Sequence, residues 1–194
     1  MKNIAIFVSG NGTNCENIIQ YFSGHAEIGV SLVVSNRADA YALVRAKRQN
    51  VPTVVISKDE FCDEVKVLAL LRQYNVDFIV LAGFLLKIPL YLIEAYPRKM
   101  LNLHPALLPK FGGKGMYGHH VHQAVWEARE TETGITIHWV TAEYDRGPII
   151  AQFRTPIAPS DTPDDIAARI HELEQRHFPQ VIERAIGENA PIFC

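Results

Sequence analysis

Two polar side chains emerge from the end of an apolar, strand-like run in the middle of the chain. Asn102 and His104 stand two residues apart, and residues i and i+2 of a strand project from the same face. Leu101 and Leu103 alternate with them toward the core, and Pro105 then ends the strand. An amide donates a hydrogen bond, and an imidazole moves a proton near neutral pH. This pair suits acyl or formyl transfer; the alternative is a capping asparagine beside an ordinary surface histidine.

A glycine-rich turn at residues 10–14 separates a short apolar run from a helical pattern. Glycines let a ligand approach the backbone, and the N–H groups at a helix start attract anions. Thr13 and Asn14 add side-chain donors. A dinucleotide fingerprint fits poorly, because Cys15 replaces its third glycine and residues 35–37 offer no ribose-binding acid. We therefore predict a site for a phosphomonoester, with Cys15 as a packing residue or a thiol of lowered pKa.

The elements that must position these groups follow an alternating pattern. Apolar runs predict strands at 4–8, 30–34, 53–56, 78–82 and 100–103, and helical periodicity predicts helices at 15–22, 40–49, 60–74, 89–96 and 121–129. Residues 112–118 form a glycine-rich mobile loop, and 136–140 and 149–155 form an antiparallel pair. A last helix opens at Pro163, and Pro179 should kink it or start a new segment. We predict one α/β domain, doubly wound around a mostly parallel sheet with an antiparallel extension.

The composition excludes some classes of function. Of the 194 residues 48% are hydrophobic and 21% charged, and the formal net charge of −2 gives no reason to expect a nucleic acid partner. Cys15, Cys62 and Cys194 are too scattered for a disulfide framework and indicate free thiols in a reducing compartment. No apolar run approaches the ~18 residues of a membrane span. We expect a cytoplasmic protein without a membrane partner.

The stretch Asn-Leu-His-Pro-x-Leu-Leu-Pro at 102–109 resembles the signature of the folate-dependent formyltransferases. Other stretches agree in the family's order, at residues 9–14, 35–40, 81–84, 138 and 145–148. The resemblance implies the formyltransferase fold with a Rossmann-like N-terminal half. It further implies transfer of the formyl group of 10-formyltetrahydrofolate, a co-substrate, to the amine of N1-(5-phosphoribosyl)glycinamide. The products would be the N-formyl compound and tetrahydrofolate, as in de novo purine (IMP) biosynthesis.

Three residues receive catalytic roles on this basis. Asn102 is the candidate for polarising the formyl oxygen, and His104 is the candidate proton carrier. The resemblance adds Asp145, which would orient His104 and raise the pKa of its ring. Without the resemblance, Asp145 would be a turn former before Arg-Gly-Pro. His138 is implied to support the site from behind, although its place in a strand also fits a core histidine.

The resemblance also implies substrate contacts. Gly12, Thr13 and Asn14 would hold the phosphate of the ribonucleotide. Glu174 would lie near the glycinamide amine, unless it is an ordinary solvated helix charge. The folate is expected to lie against Asn102 and a pterin-binding segment, which is cradled largely through its backbone and comprises Leu85, Leu86, Lys87 and Ile88.

The sequence departs from the family at three places. Leu86 stands where we expect an arginine, and Asp59 and Glu60 stand where an arginine would meet the folate's glutamate tail, so affinity for polyglutamylated folate is in question. The segment at residues 111–118 is longer than expected for the family, and this length suggests a lid over the ribonucleotide. His119, His120 and His122 imitate a metal cluster, but no carboxylate or cysteine with ligand spacing accompanies them, and we predict no metal.

The predicted organisation is a single formyltransferase domain, 1–194, with a phosphate-binding α/β half at 1–100 and a catalytic and folate-binding half at 101–194. We expect small-molecule substrates only, and a monomer or homodimer. A relative acting on methionyl-tRNA should carry a C-terminal domain and a basic surface, and one acting on an amino sugar would share the fold. A formate-releasing hydrolase should carry an N-terminal regulatory domain. An NADP-dependent oxidoreductase or a nucleotide sensor is disfavoured by residues 10–15.

Overall fold

The computed structural model describes residues 1–187, so Cys194 lies outside the described residues. The strands are β1 (Lys2–Val8), β2 (Ile28–Ser35), β3 (Thr53–Val55), β4 (Phe78–Leu81), β5 (Met100–His104), β6 (Glu132–Trp139) and β7 (Ile149–Pro156). The helices are α1 (Thr13–Tyr21), α2 (Tyr41–Arg48), α3 (Glu64–Gln73), α4 (Leu90–Ala95), α5 (His119–Glu127) and α6 (Pro163–Gly187). Strands and helices therefore alternate from β1 to β6 as the sequence pattern predicts, and β7 follows β6 directly.

The seven strands form one sheet in the order β3-β2-β1-β4-β5-β6-β7. The β1 strand pairs with β2 and β4 in parallel, and β2 pairs with β3 in parallel. The β6 and β7 strands pair antiparallel, with a register irregularity between Ile137 and His138. The predicted fold class, a mostly parallel sheet with an antiparallel extension, is confirmed.

Burial explains why β1 reads as a continuous apolar run. All five residues from Ile4 to Val8 are fully buried, because β1 has hydrogen-bonded neighbours on both edges and is covered on both faces. Residues 9–12 follow this strand directly and lead into α1. The end of β1 thus delivers the glycine-rich turn from a rigid base.

Two helices differ in detail from their predicted bounds. The predicted helix at 60–74 is divided into a 3₁₀ turn, Glu60–Cys62, and α3, because the side chain of Asp63 accepts the N–H of Lys66 and caps a new helix start. The sequence predicted a kink or a new segment at Pro179; no new segment starts there, because the α6 helix continues through Pro179. Pro179 and its neighbour Phe178 are buried, and Val181 and Ile182 continue the buried stripe. Their burial offsets the lost hydrogen bond of the proline.

The chain divides into two compact units, Met1–Leu101 and the residues from Asn102 onward. Within the second unit, α5 and α6 pack together, and α6 also contacts β6 and β7. Trp126 of α5 donates its indole N–H to the carbonyl oxygen of Asp161 at 2.9 Å and remains 45% exposed. Trp139, at the end of β6, is 6% exposed.

Within residues 1–187 no helix combines the length and the apolar character that crossing a bilayer requires.

Candidate active site in the second unit

The β5 strand carries Asn102 and His104, the two polar residues of the predicted site. Leu101 and Leu103 are buried as the alternation predicts, and Asn102 is half-buried. His104 is only 3% exposed, so it is not an ordinary surface histidine. A buried imidazole requires hydrogen-bond partners, and these define the site.

Both ring nitrogens of His104 have a defined neighbour. Nε2 lies 2.8 Å from the carbonyl oxygen of Phe111, and Nδ1 lies 3.5 Å from Oδ2 of Asp145. Because a carbonyl only accepts, Nε2 carries the proton of the neutral ring. Nδ1 is therefore the nitrogen that gains and loses a proton, and it does so facing a carboxylate.

The pKa of His104 lies below its ordinary value. Burial is the largest cause, since it disfavours the charged ring, and His138 lowers the pKa further. Asp145 and the hydrogen bond to Phe111 act in the opposite direction. The expected effect of Asp145 is thus present, but the net shift is downward because desolvation outweighs it. At neutral pH the ring is uncharged and able to accept a proton.

Asp145 is held in a strained backbone conformation with φ of +52°, which aspartate and asparagine tolerate better than most residues. Its Oδ2 accepts the backbone N–H of Gly113 at 2.8 Å. Burial raises the pKa of this carboxyl, but the facing rings of His138 and His104 and the Gly113 N–H outweigh burial and place it below the ordinary value. Asp145 is both a turn residue and an ionised neighbour of His104.

A second histidine sets the orientation of the Asn102 amide. Nδ1 of His138 lies 2.9 Å from the carbonyl oxygen of Trp139, so in the neutral ring Nδ1 carries the proton and Nε2 accepts. Nδ2 of Asn102 lies 3.1 Å from that Nε2 and donates to it. The other N–H of this amide has only a 3.5 Å contact with Oδ1 of Asp145, at the outer limit of hydrogen bonding.

The backbone after His104 is fixed from β6. The hydroxyl of Thr136, which is fully buried, donates to the carbonyl oxygen of Ala106 at 2.7 Å and accepts the N–H of Leu108 at 3.0 Å. Nε2 of Gln152, on β7, donates to the same hydroxyl at 2.9 Å. These bonds hold the segment that presents the Phe111 carbonyl to His104.

The three histidines at the start of α5, His119, His120 and His122, differ in burial. His119 and His120 are exposed, whereas His122 is 8% exposed. Within residues 1–187 no group of three or more histidine, cysteine, aspartate or glutamate side chains is arranged to hold a metal ion. Burial lowers the pKa of His122, partly offset by Glu174, and its Nδ1 has no hydrogen-bond partner in the described part of the chain.

Glu174 lies on α6 with its side chain 13% exposed, 3.5 Å from Nδ1 of His171 one turn earlier. Its hydrogen bond is the main reason that the pKa of His171 is raised. An ordinary solvated helix charge is therefore not what the structure has at this position. Glu174 remains a candidate for binding a positively charged group.

Two backbone groups and one buried histidine near the site were not identified from the sequence pattern alone. The Phe111 carbonyl and the Gly113 N–H are backbone groups, which leave no mark on residue identity. His122 was treated as one of three similar histidines. Its spacing from Val125, with which it shares the buried face of α5, was the available signal.

Candidate substrate segments in the first unit

Gly12 forms the start of α1 in a left-handed conformation, φ +77° and ψ +28°. A Cβ built there would lie 2.3 Å from the Cβ of Ala42 on α2, so only glycine fits. Ala42 also donates its N–H to the carbonyl oxygen of Gly10 at 3.1 Å. Thr13 and Asn14 form the first residues of α1, where backbone N–H groups lack helical acceptors.

Cys15 is a packing residue and not a reactive thiol. It is fully buried, and burial, with a smaller contribution from Glu16, raises the pKa of its thiol to about 12. Arg45 lowers the pKa by less. The thiol is therefore protonated at neutral pH, and the interpretation as a low-pKa cysteine was wrong.

The predicted pterin-binding segment follows β4 and the left-handed Gly83. The N–H of Leu85 donates to Oγ of Ser9 at 2.9 Å, which ties the segment to the end of β1. Leu85 and Lys87 are exposed, Leu86 is half-buried and Ile88 is buried, so the segment alternates between solvent and core.

Similarity to known proteins

Comparison with known proteins identifies the family. The Formyl transferase family matches residues 2–182. A chloroplastic phosphoribosylglycinamide formyltransferase of Arabidopsis thaliana is 40% identical over 187 residues, which cover 93% of this chain and 64% of the relative. The phosphoribosylglycinamide formyltransferase of Haemophilus influenzae is 38% identical over 94% of this chain and 86% of its own length.

A solved structure agrees in fold. Glycinamide ribonucleotide transformylase 1 from Symbiobacterium toebii superposes with a TM-score of 0.86 at 34% identity, over 96% of this chain and 89% of that one. The chain spans somewhat less than two thirds of the two plant relatives, 64% and 62%. The chain belongs to the formyl transferase family, in the group of the phosphoribosylglycinamide formyltransferases.

Proposed function

We propose that this protein transfers the formyl group of 10-formyltetrahydrofolate to the amine of N1-(5-phosphoribosyl)glycinamide. The observation that carries the proposal is the cluster of Asn102, His104, Asp145 and His138, whose two histidines are buried, in a member of the formyl transferase family. The products are the N-formyl compound and tetrahydrofolate, a step of purine biosynthesis. The name of the Haemophilus influenzae relative, 86% of which the chain covers, supports the same substrate.

The reaction requires proton movement between two nitrogens. The amine attacks the formyl carbon, and the C–N bond to the folate then breaks while the new C–N bond remains. The attacking nitrogen loses one proton, and the leaving folate nitrogen gains one. We assign both transfers to Nδ1 of His104, which is unprotonated in the neutral ring and faces Asp145. On protonation, the imidazolium would form an ion pair with that carboxylate.

Negative charge develops on the formyl oxygen during attack. The second N–H of Asn102, which has only the 3.5 Å contact with Asp145, is the donor we assign to this oxygen. A donor of this kind contributes roughly 3–4 kcal/mol in other acyl-transfer sites. His138 keeps the amide in the donating orientation, because its Nε2 accepts the other N–H.

The remaining residues are assigned to binding the substrates. Gly12, Thr13 and Asn14 would bind the phosphate through backbone N–H groups and short polar side chains. Glu174, mostly buried on α6, would receive the glycinamide amine. The folate co-substrate would lie along the backbone of Leu85, Leu86, Lys87 and Ile88.

We also propose a cytoplasmic protein that acts alone or as a homodimer on small molecules, without nucleic acid. Cys15 and Cys62 are free thiols in the described chain, which suits a reducing compartment. Location differs among relatives, since the plant proteins are named chloroplastic. A single formyltransferase domain, with the phosphate site in the first half, remains our proposal for the organisation.

The test is a coupled measurement of both products. Purified protein is incubated with 10-formyltetrahydrofolate, and tetrahydrofolate and formylated ribonucleotide are quantified with and without glycinamide ribonucleotide. We expect equal amounts of the two products and no deformylation without the acceptor. Folate deformylation that ignores the acceptor would indicate a hydrolase. A higher kcat/KM for another amine would show that this other amine, and not glycinamide ribonucleotide, is the acceptor.

A further inference from the structure

Arg45 of α2 reaches the glycine-rich turn that precedes α1. Its Nε donates to the backbone carbonyl oxygen of Asn11 at 3.0 Å, and Nη2 lies 3.3 Å from Oδ1 of the same residue. Nη1 forms an ion pair with Glu16 of α1. One guanidinium therefore connects the turn to both helices that flank it.

The Arg45 side chain is itself held in place. Tyr41 lies one turn earlier on α2, and the guanidinium carbon of Arg45 stands 4.9 Å from the centre of its ring. The arginine side chain is 21% exposed, which is low for this residue type. A guanidinium with hydrogen bonds, an ion pair and a ring contact has little rotational freedom left.

The hydrogen bond to Asn11 determines the direction of the next N–H group. In a planar trans peptide the C=O and N–H point in opposite directions. Arg45 holds the Asn11 oxygen on its own side, so the N–H of Gly12 is directed away from Arg45. This N–H belongs to the helix start where an anion would bind.

We infer that Arg45 is a positioning residue for the phosphate of the ribonucleotide, acting through the Asn11–Gly12 peptide. This inference depends on the proposed role of the turn in phosphate binding. Glu16 offsets much of the arginine's charge, so its contribution is mainly the geometry of the turn. No part of the sequence pattern singles out Arg45 among the basic residues of α2.

The experiment compares substrates with and without the phosphate. KM and kcat are measured for glycinamide ribonucleotide, for the corresponding nucleoside that carries a hydroxyl instead, and for the folate. The variants are Arg45→Met, Arg45→Lys and, as matched control, Arg48→Met. Arg48 lies on the same helix and bonds the Tyr41 hydroxyl at 3.2 Å, but contacts Tyr41 rather than the turn.

Arg45→Met should raise the KM for the ribonucleotide about tenfold, as expected for losing a charge-assisted contact, and leave the nucleoside's kcat/KM within about twofold. Arg45→Lys keeps the charge but loses the planar guanidinium that makes several contacts at once. The KM of this variant for the ribonucleotide should therefore rise as in Arg45→Met. This variant also serves as the test if Arg45→Met does not fold. The Arg48→Met control should behave as the wild type.

Two results would overturn the inference. Equal losses for nucleoside and ribonucleotide would mean that Arg45 only stabilises the fold, and full recovery in Arg45→Lys would mean that charge alone matters. Failure of the proposed function looks different. In that case the wild-type protein itself would not prefer the ribonucleotide to the nucleoside.

Discussion

The glycine-rich turn of the first unit and the cluster of Asn102, His104, Asp145 and His138 in the second differ in what determines their geometry. At the turn, shape dominates: Gly12 fits against Ala42 with no room for a side chain, and the proposed phosphate contacts are mainly backbone N–H groups. In the cluster, the protonation of His104 and Asp145 depends on burial and on each other. The turn should therefore be sensitive to added volume and the cluster to altered charge.

The largest effect is expected from Asp145→Asn, which changes charge without changing size. Asparagine also tolerates the positive φ at this position. Because Asp145 raises the pKa of His104, its loss should move the ring's titration to lower pH. We expect kcat to fall by about 10²–10⁴ with little change in substrate affinity. Single-turnover rates and NMR titration of His104 measure both effects.

Glu143→Gln is the matched control, since it removes a charge from the exposed surface of the same loop. It should leave both the rate and the titration unchanged. An unaltered His104 titration in Asp145→Asn would disprove the pairing even if activity were lost. Asp145 would then serve only to shape the loop.

A smaller effect is expected from adding volume to the turn. Gly12→Val should raise the KM for the ribonucleotide far more than that for the folate. It should also cost about 2 kcal/mol of unfolding free energy, because its Cβ would overlap Ala42. Gly10→Ala separates ligand approach from packing, since a Cβ there has no atom within 4 Å.

Gly10→Ala should leave stability within about 0.5 kcal/mol of the wild type and raise the ribonucleotide KM severalfold. Steady-state kinetics with either substrate varied, together with denaturant unfolding, distinguish the two contributions. An equal rise in both KM values, in a folded variant, would assign the turn a different role.

The smallest effect concerns stability and pH. The folded-state pKa values of His104 and His122 are depressed, so the unfolded chain binds protons first as the pH falls. Their contribution is complete above the unfolded pKa of about 6.5 and is lost as the pH falls through the folded values. Unfolding free energies measured by denaturant from pH 8 to 5 should decrease on the acid side.

His122→Asn should reduce this decrease, since it removes one group whose pKa is depressed in the folded state. His120→Asn, at an exposed neighbouring position, is the control. His171, whose pKa is raised, acts with the opposite sign and limits the net slope. An identical slope in His122→Asn and the wild type would show that His122 does not contribute.

Much of the fold could be predicted from local patterns. The run at 4–8 is buried on both faces, and alternation placed Asn102 between two buried leucines. Pro179 could not be read locally, because the packing of α6 outweighs its preference. Periodicity cannot report such tertiary compensation.

For the site, the sequence indicated which side chains belong together but not their environment. The order of motifs indicated that Asn102, His104 and Asp145 belong to one site, although physics alone could not bring together residues so distant in sequence. The direction of the His104 pKa shift depends on how deeply the ring is buried, and that depth is a property of the whole unit. The Phe111 carbonyl could not be predicted, because every residue has one.

The placement of the two indoles has an optical consequence. The chain contains two tryptophans, Trp126 and Trp139, and both belong to the unit that begins at Asn102. Fluorescence excited selectively in indole thus reports on that unit alone, whereas circular dichroism averages over both. The exposed Trp126 and the buried Trp139 emit from environments of different polarity. The native protein is therefore labelled by its own residues for asking whether its two units unfold in one transition or two.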